Sequence, residues 1–269
     1  MAQHVTAIGH ALVATRTLLW GGHCALYPLQ QISRRLASAE AALEVRSGML
    51  IGLGSGRAVA AVIQALGRRM AAEGLVLSAV CASRAATRQA LAVGIEVLPG
   101  DDVPELDLGF DGADLFTEDL QLIKGGGGAL VRERLVARGC RRWVIVAEDE
   151  KARTDLRGTP LPVALVAFGH EATARRIGEL GVRATARRTP RGRLRRSDDG
   201  FALYDCLDET ARPVATLAAS IAALPGVIDT GYFTGVADAA YIGSRQGVRR
   251  ISACRARHDK QPPQLQPPQ

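Results

Sequence analysis

Apolar residues at helical spacing run from about Ile32 to Val45, and the pattern then changes. Gly48 turns the chain into Met49–Leu53, a short continuous apolar run bounded by glycines, which predicts a buried strand. Gly54-Ser55-Gly56 follows, and Val59, Val62, Ile63 and Leu66 then fall on one face of a helix predicted over Arg57–Ala72. The unit repeats. Strands are predicted over Leu75–Val80, Ile95–Leu98 and Leu106–Phe110, with a helix over Ala85–Val93. A helix over Ala129–Arg138 then leads into the strongly apolar strand Trp143–Ala147.

Strands alternating with helices at this spacing predict the α/β class, a mainly parallel sheet covered by helices on both faces in the Rossmann-like manner. Ligands bind such sheets outside the carboxyl ends of the strands, where the topology switches. From Pro160 to Asp208 the character differs. Leu161–Val166 and Leu203–Asp205 read as strands around a helix over Glu171–Leu180, Asp198-Asp199-Gly200 is a turn, and Pro213 opens a helix with Val214, Leu217, Ile221 and Leu224 on one face. The expected organisation is therefore a catalytic α/β domain over residues 32–160 and about 227–255, and a smaller α+β lobe over about 161–226.

Composition adjusts this picture in a few places. Aromatics make up 4% of the chain, so the core has to be built from Ala, Leu, Val and Ile. The net charge of +7 is local: Arg183, Arg187, Arg188, Arg191, Arg193, Arg195 and Arg196 lie in one acid-free stretch. Without those seven, the 34 basic residues fall to 27, the number of acids. No aromatic interleaves the stretch for base stacking, so it reads as a solvated basic loop or hairpin and not as a nucleic-acid site. The five cysteines stand singly, which argues against zinc and for a reducing, cytoplasmic setting. No apolar run is long enough to span a bilayer. Residues 1–31 are acid-free, lack the pattern of a transit or signal peptide, and are expected to be a disordered leader. The Pro- and Gln-rich tail over 256–269 is expected to be disordered too.

Three segments carry candidate chemistry, each at a strand end. Gly54-Ser55-Gly56-Arg57-Ala58 sits between strand and helix, where backbone N–H groups and the helix dipole favour an anion. It fits a dinucleotide site poorly, because the third glycine of that fingerprint falls at Arg57 and the next strand ends in Cys81-Ala82-Ser83 without a ribose-binding acid. Asp111-Gly112-Ala113-Asp114 places two carboxylates in one loop, where both can face one cleft and mutual repulsion would raise a pKa; without its context, an ordinary Asp-Gly turn with a helix-capping second Asp would be the favoured reading. Lys124-Gly125-Gly126-Gly127-Gly128 places a cation before four glycines whose conformational entropy cost calls for a reason, and close approach of backbone to ligand supplies one. Glu133 follows in the first turns of the next helix, where alone it would be read as a solvated residue between Arg132 and Arg134. Together these segments hold a carboxylate base, a cation for a developing oxyanion and an anion site. An aldose–ketose isomerase working through an enediolate requires those parts, with no metal and no redox cofactor.

Asp111-Gly-Ala-Asp114, followed by Leu122-Ile-Lys-Gly-Gly-Gly-Gly-Ala-Leu-Val-Arg-Glu133, resembles the ribose-5-phosphate isomerase A family. Val146–Lys151, Ser197–Gly200, Leu224–Phe233 and Ala237–Gly243 resemble its later segments, so the similarity covers roughly Arg34 to Ile251. The resemblance implies Glu133 as the base between the two carbons, Lys124 as stabiliser of the enediolate, and Asp111 and Asp114 as carriers of hydroxyl protons in ring opening. It also implies Lys151 and the loop around Ser55 as substrate contacts, a sugar phosphate as partner, and a two-lobed homodimer or homotetramer. The chain departs from the family at Arg57 and Ala58, where two hydroxyl residues are usual, and at Arg34, where a lysine is often found. Arg57 could serve as a bidentate phosphate ligand or alter the substrate. Three other readings stand beside this one: an isomerase of another sugar phosphate, a non-catalytic sugar-phosphate sensor, and coenzyme A transfer through a glutamyl thioester. A sensor would lack the base and carry a DNA-binding unit ahead of the body; Lys124 and the paired aspartates favour isomerisation over thioester chemistry.

Overall fold

The computed structural model describes residues 29–101 and 105–253. The chain opens with helix α1 (Leu29–Ala42), then strand β1 (Leu50–Leu53), α2 (Arg57–Glu73), β2 (Ser78–Cys81), α3 (Arg84–Ala92), β3 (Glu96–Val97) and β4 (Leu108–Asp111). Two short strands, β5 (Leu115–Phe116) and β6 (Leu122–Ile123), precede α4 (Leu130–Gly139) and β7 (Trp143–Glu148), and a single 3-10 turn covers Asp149–Lys151. The remainder comprises β8 (Leu161–Leu165), α5 (His170–Glu179), β9 (Arg183–Ala186), β10 (Ala202–Leu207), α6 (Val214–Ala222), β11 (Val227–Thr230), β12 (Tyr232–Phe233), β13 (Ala239–Ser244) and β14 (Gly247–Ser252).

Seven strands form the main sheet in the order β14-β13-β7-β4-β1-β2-β3. All neighbours are parallel except the closing β13–β14 pair. The expected α/β class with helices on both faces is what forms. Strand β7 shows why: it is buried throughout, and its side chains alternate between two cores. Val144 and Val146 pack with Ala37, Val62, Ile63 and Leu66 of α1 and α2. Trp143, Ile145 and Ala147 pack with Leu130 and Val136 of α4 and with Phe233. From the centre, the chain moves outward to β2 on one side of β1 and returns as β4 on the other. The β1–β4 pair is therefore the topological switch, and the ends of these two strands open one crevice.

A four-stranded antiparallel sheet, β11-β8-β10-β9, carries α5 and α6 around its own core of Leu161, Val163, Ile177, Tyr204 and Leu217. A three-stranded sheet, β12-β6-β5, joins it to the main body. The four-stranded sheet takes in Val227–Thr230, a stretch expected to have rejoined the main body. Its backbone pairs with β8 through an irregular register, a long-range ladder that local pattern does not reveal. Helix α1 begins at Leu29, so residues 29–31, expected to be part of a disordered leader, are helical instead; Gln30 is held by its amide to Glu150. The rest of the expected leader and the expected tail lie outside the described residues. Among the described residues, no helix is long and apolar enough to cross a membrane.

Candidate active site

Two glycines shape the crevice for different reasons. Gly56 has φ +91°, the left-handed region, and turns the chain into α2. Gly54 has an ordinary backbone but no room: an added Cβ would lie 2.0–2.3 Å from the Asp111 carboxylate. The loop and β4 are bound together, with Gly54 N–H donating to Phe110 O at 2.8 Å and Ser55 N–H donating to Asp111 Oδ1 at 3.2 Å. The Ser55 hydroxyl donates to Ser83 Oγ at 3.0 Å, and Ser83 in turn caps α3.

Asp111, Lys124 and Glu133 converge although they come from β4, the segment after β6 and helix α4. Lys124 Nζ lies 2.8 Å from Asp111 Oδ2 and 3.3 Å from Glu133 Oε2, and donates to Gly112 O at 2.6 Å. All three are buried, with residue exposures of 1%, 3% and 4%. Burial pushes Glu133 up to about 8, helped by the charge of Asp111 and opposed by Lys124. Burial also raises Asp111, against the opposing pull of Lys124 and of the Gly112 and Ser55 amides. Burial works against the Lys124 ammonium, but the Asp111 and Glu133 carboxylates outweigh it and hold the lysine above its ordinary value.

The expected sharing of one cleft by Asp111 and Asp114 takes a different form. The aspartates part: Asp111 is enclosed with Lys124, whereas Asp114 is exposed and accepts from Gly126 N–H at 2.7 Å. Desolvation, and not repulsion between the pair, is the leading cause of the raised Asp111. Gly125 and Gly128 both have positive φ, at +100° and +91°, so part of the entropy cost of the glycine run answers to backbone shape.

Asp114 also lines a cleft of about 250 Å³ whose other walls include Arg34, Arg57, Glu148, Lys151 and Arg153. Arg57 is exposed there and Ala58 is buried behind it. Glu148, at the end of β7, is buried; it pairs with Arg34 of α1 and, at 2.8 Å, with Lys151. Although burial opposes it, Lys151 and Arg34 hold the Glu148 carboxyl below its ordinary value. Sequence reasoning gave Glu148 and Arg153 no role. The spacing of Glu148 and Lys151 was a usable signal; the pairing with Arg34, 114 positions away, was not.

The stretch expected to be a solvated basic edge is only partly so. Arg187 forks onto Asp205 at 2.9 and 2.6 Å and donates to Gly125 O at 2.6 Å, and Arg195 reaches Gly127 O at 3.3 Å. Arg191 and Arg193, by contrast, are exposed. Among the described residues no group of three or more His, Cys, Asp or Glu is placed to hold a metal.

The family model described as ribose 5-phosphate isomerase A (phosphoriboisomerase A) matches residues 78–247. A ribose-5-phosphate isomerase A of Thermomicrobium roseum is 42% identical over 225 residues, which span 83% of this chain and 94% of that protein. The structure of ribose 5-phosphate isomerase A from Methanocaldococcus jannaschii superposes with TM-score 0.77 at 30% identity, covering 82% of this chain and 99% of the other. A D-ribose-5-phosphate isomerase in complex with phospho-erythronic acid superposes with TM-score 0.78 at 25% identity, covering 83% and 99%. With its sheet order, its buried carboxylate–lysine–carboxylate cluster and these likenesses over most of its length, the chain belongs to the ribose 5-phosphate isomerase A family.

Proposed function

We propose that this protein interconverts ribose 5-phosphate and ribulose 5-phosphate through an enediolate. The observation that carries the reading is the buried Lys124 ammonium lying between two carboxylates at the switch point of a parallel sheet. Once the sugar is in its open form, the ionised Glu133 removes the C2 proton. The electron pair moves into a C1–C2 double bond, and charge develops on the C1 oxygen. The Lys124 ammonium neutralises that charge in a buried site, where the attraction is least screened. Glu133 then returns the proton to C1 while the C2 hydroxyl proton passes to the C1 oxygen, leaving a ketone at C2 and a hydroxyl at C1. A glutamate raised to about 8 is a stronger base than an ordinary one, which suits abstraction from carbon. Asp111 and Asp114 carry the hydroxyl protons of ring opening and of the enediol.

The phosphate is assigned to the cleft, where Arg34, Arg57, Lys151 and Arg153 gather four positive charges against the three carboxylates Glu148, Glu150 and Asp114. Asp114 belongs to both places, lining the cleft and holding the glycine loop beside Lys124. The Arg57 guanidinium replaces hydroxyl donors with a bidentate one. Residues 54–58, 112–113 and 125–127 supply the backbone around the sugar.

Self-association into a homodimer or homotetramer in the cytoplasm is part of the same proposal. It is supported by an apolar edge on the four-stranded sheet, where Phe168 is 93% exposed beside Val166 and Ile228. The division into a catalytic unit and a smaller lobe near residue 160 follows the same reading, since the lobe has its own core.

The test is turnover of ribose 5-phosphate by the purified protein, following ribulose 5-phosphate directly, with phospho-erythronic acid as a competitor. Turnover that this acid inhibits competitively is the expected result. A folded sample that neither turns over nor binds either compound would exclude the reading and direct attention to other aldose phosphates.

A further inference from the structure

The glycine run after Lys124 has no side chains with which to fix itself, so its geometry is set by what holds its backbone. The Gly125–Gly126 peptide is gripped at both edges: its N–H donates to Asp114 Oδ2 at 2.7 Å, and its carbonyl accepts from Arg187 Nη1 at 2.6 Å. Arg187 also approaches Gly126 O at 3.3 Å, and Arg195 approaches Gly127 O at 3.3 Å. Leu203 of β10 fills the space where Gly128 would carry a Cβ, 2.6 Å from that position.

Arg187 is not a mobile surface arginine, since its side chain is only 13% exposed. It directly follows β9, and Asp205 pairs across from Thr185, so the arginine and aspartate lie diagonally on one sheet face. Both Nε and Nη2 are committed to Asp205, which leaves Nη1 aimed at the loop. A planar fork fixed on a carboxylate in this way holds its remaining donor far more tightly than a lysine could. The smaller lobe thus reaches the residue next to Lys124.

We infer that Arg187, oriented by Asp205, is a positioning residue that holds the Gly125–Gly126 peptide, and through it Lys124, in the geometry needed for enediolate stabilisation. This rests on the isomerase reading given above. The two can fail separately, because the grip on the loop is measurable without turnover.

The experiment compares wild type with Arg187→Gln, Arg187→Lys, Asp205→Asn and, as a control, Arg188→Gln, whose guanidinium donates to Gly192 O and not to the glycine run. Each is followed by isomerase kinetics, thermal melting and hydrogen exchange of peptides covering residues 122–131. Arg187→Gln is expected to lower kcat about 10- to 100-fold with KM changed less than about threefold, since misplacement by an ångström is enough for such a loss. Exchange across the loop should quicken while melting stays close to wild type. Arg187→Lys should recover only part of the lost kcat, Asp205→Asn should resemble Arg187→Gln more weakly, and Arg188→Gln should do nothing. An unchanged kcat, full recovery by lysine, or unchanged loop exchange would overturn the inference. Should the wild type not turn over ribose 5-phosphate, the isomerase reading falls and loop exchange alone decides the positioning role.

Discussion

The Asp111–Lys124–Glu133 cluster and the Arg34–Arg57–Lys151–Arg153 cleft are both charged, and Asp114 touches both, yet they obey different physics. In the cluster the side chains are buried and each charge depends on the other two: burial and Asp111 push Glu133 up to about 8, and the two carboxylates hold Lys124 above its ordinary value. In the cleft, solvent reaches Arg57 and Arg153, and their attraction for an anion is screened by salt. Glu148 and Arg34 are buried at its base, and Arg34 and Lys151 flank the Glu148 carboxylate. A buried site changes the reactivity of its groups, whereas a solvated one attracts and orients. The division matches what an isomerase of a phosphorylated sugar must do at its two ends.

Substitutions that strike one region and spare the other sharpen this contrast. The largest effect is expected from Glu133→Gln, which keeps the shape and removes the proposed base: kcat should fall by about 10²- to 10⁴-fold with KM little changed. Near-normal turnover would remove Glu133 from the role. Lys124→Met should lower kcat by about 10²- to 10³-fold, as loss of a buried oxyanion partner does. It should also lower the melting temperature, because it leaves two enclosed carboxylates without their cation. Gly54→Ala is expected to cost about 10²-fold in kcat by forcing the Asp111 carboxylate aside; its backbone φ needs no glycine, so the loss is steric.

The cleft should respond in KM. Arg57→Ser with Ala58→Thr should raise KM by about tenfold at most, with kcat nearly unchanged, and the difference should shrink as salt is added. A fall in kcat with constant KM would place Arg57 in the reaction and erase the contrast. The smallest effect is read against pH, at no more than about 1.4 kcal/mol per pH unit for one proton. Glu133 is an acid raised from 4.5 to about 8, so folding holds its proton; its contribution to stability is complete below 4.5 and is lost as pH rises through 8. The proposed mechanism needs the ionised form, so activity is expected to rise over the same range. Glu148 is lowered from 4.5, so its contribution is present above that value and is lost as pH falls below it. Denaturation midpoints across pH for wild type, Glu133→Gln and Glu148→Gln would separate the alkaline limb from the acid one.

Much of the site was legible because its parts sit at strand ends, where apolar runs give way abruptly to glycine and aspartate. Lys124 stands out beside the glycine run, whereas Glu133, flanked by Arg132 and Arg134, is singled out by the family resemblance. The electrostatics were less legible. Asp111 and Asp114 look alike in sequence, and only the packing of the Gly54–Ser55 loop over β4 encloses one and leaves the other in the cleft. Arg187 looked like its exposed neighbours Arg191 and Arg193, and what distinguishes it is Asp205 across the sheet.

By itself the sequence determined the alternation of strands and helices, the loops that close the strands, and the residue types the chemistry needs. Those are local properties, written in periodicity and in the backbone demands of glycine and proline. Tertiary structure alone decided that Arg34 meets Glu148, that β11 pairs with β8, and that the smaller lobe holds the glycine loop beside Lys124. Such contacts join residues tens to more than a hundred positions apart. Their partners are chosen by burial and by geometry, which no local pattern records.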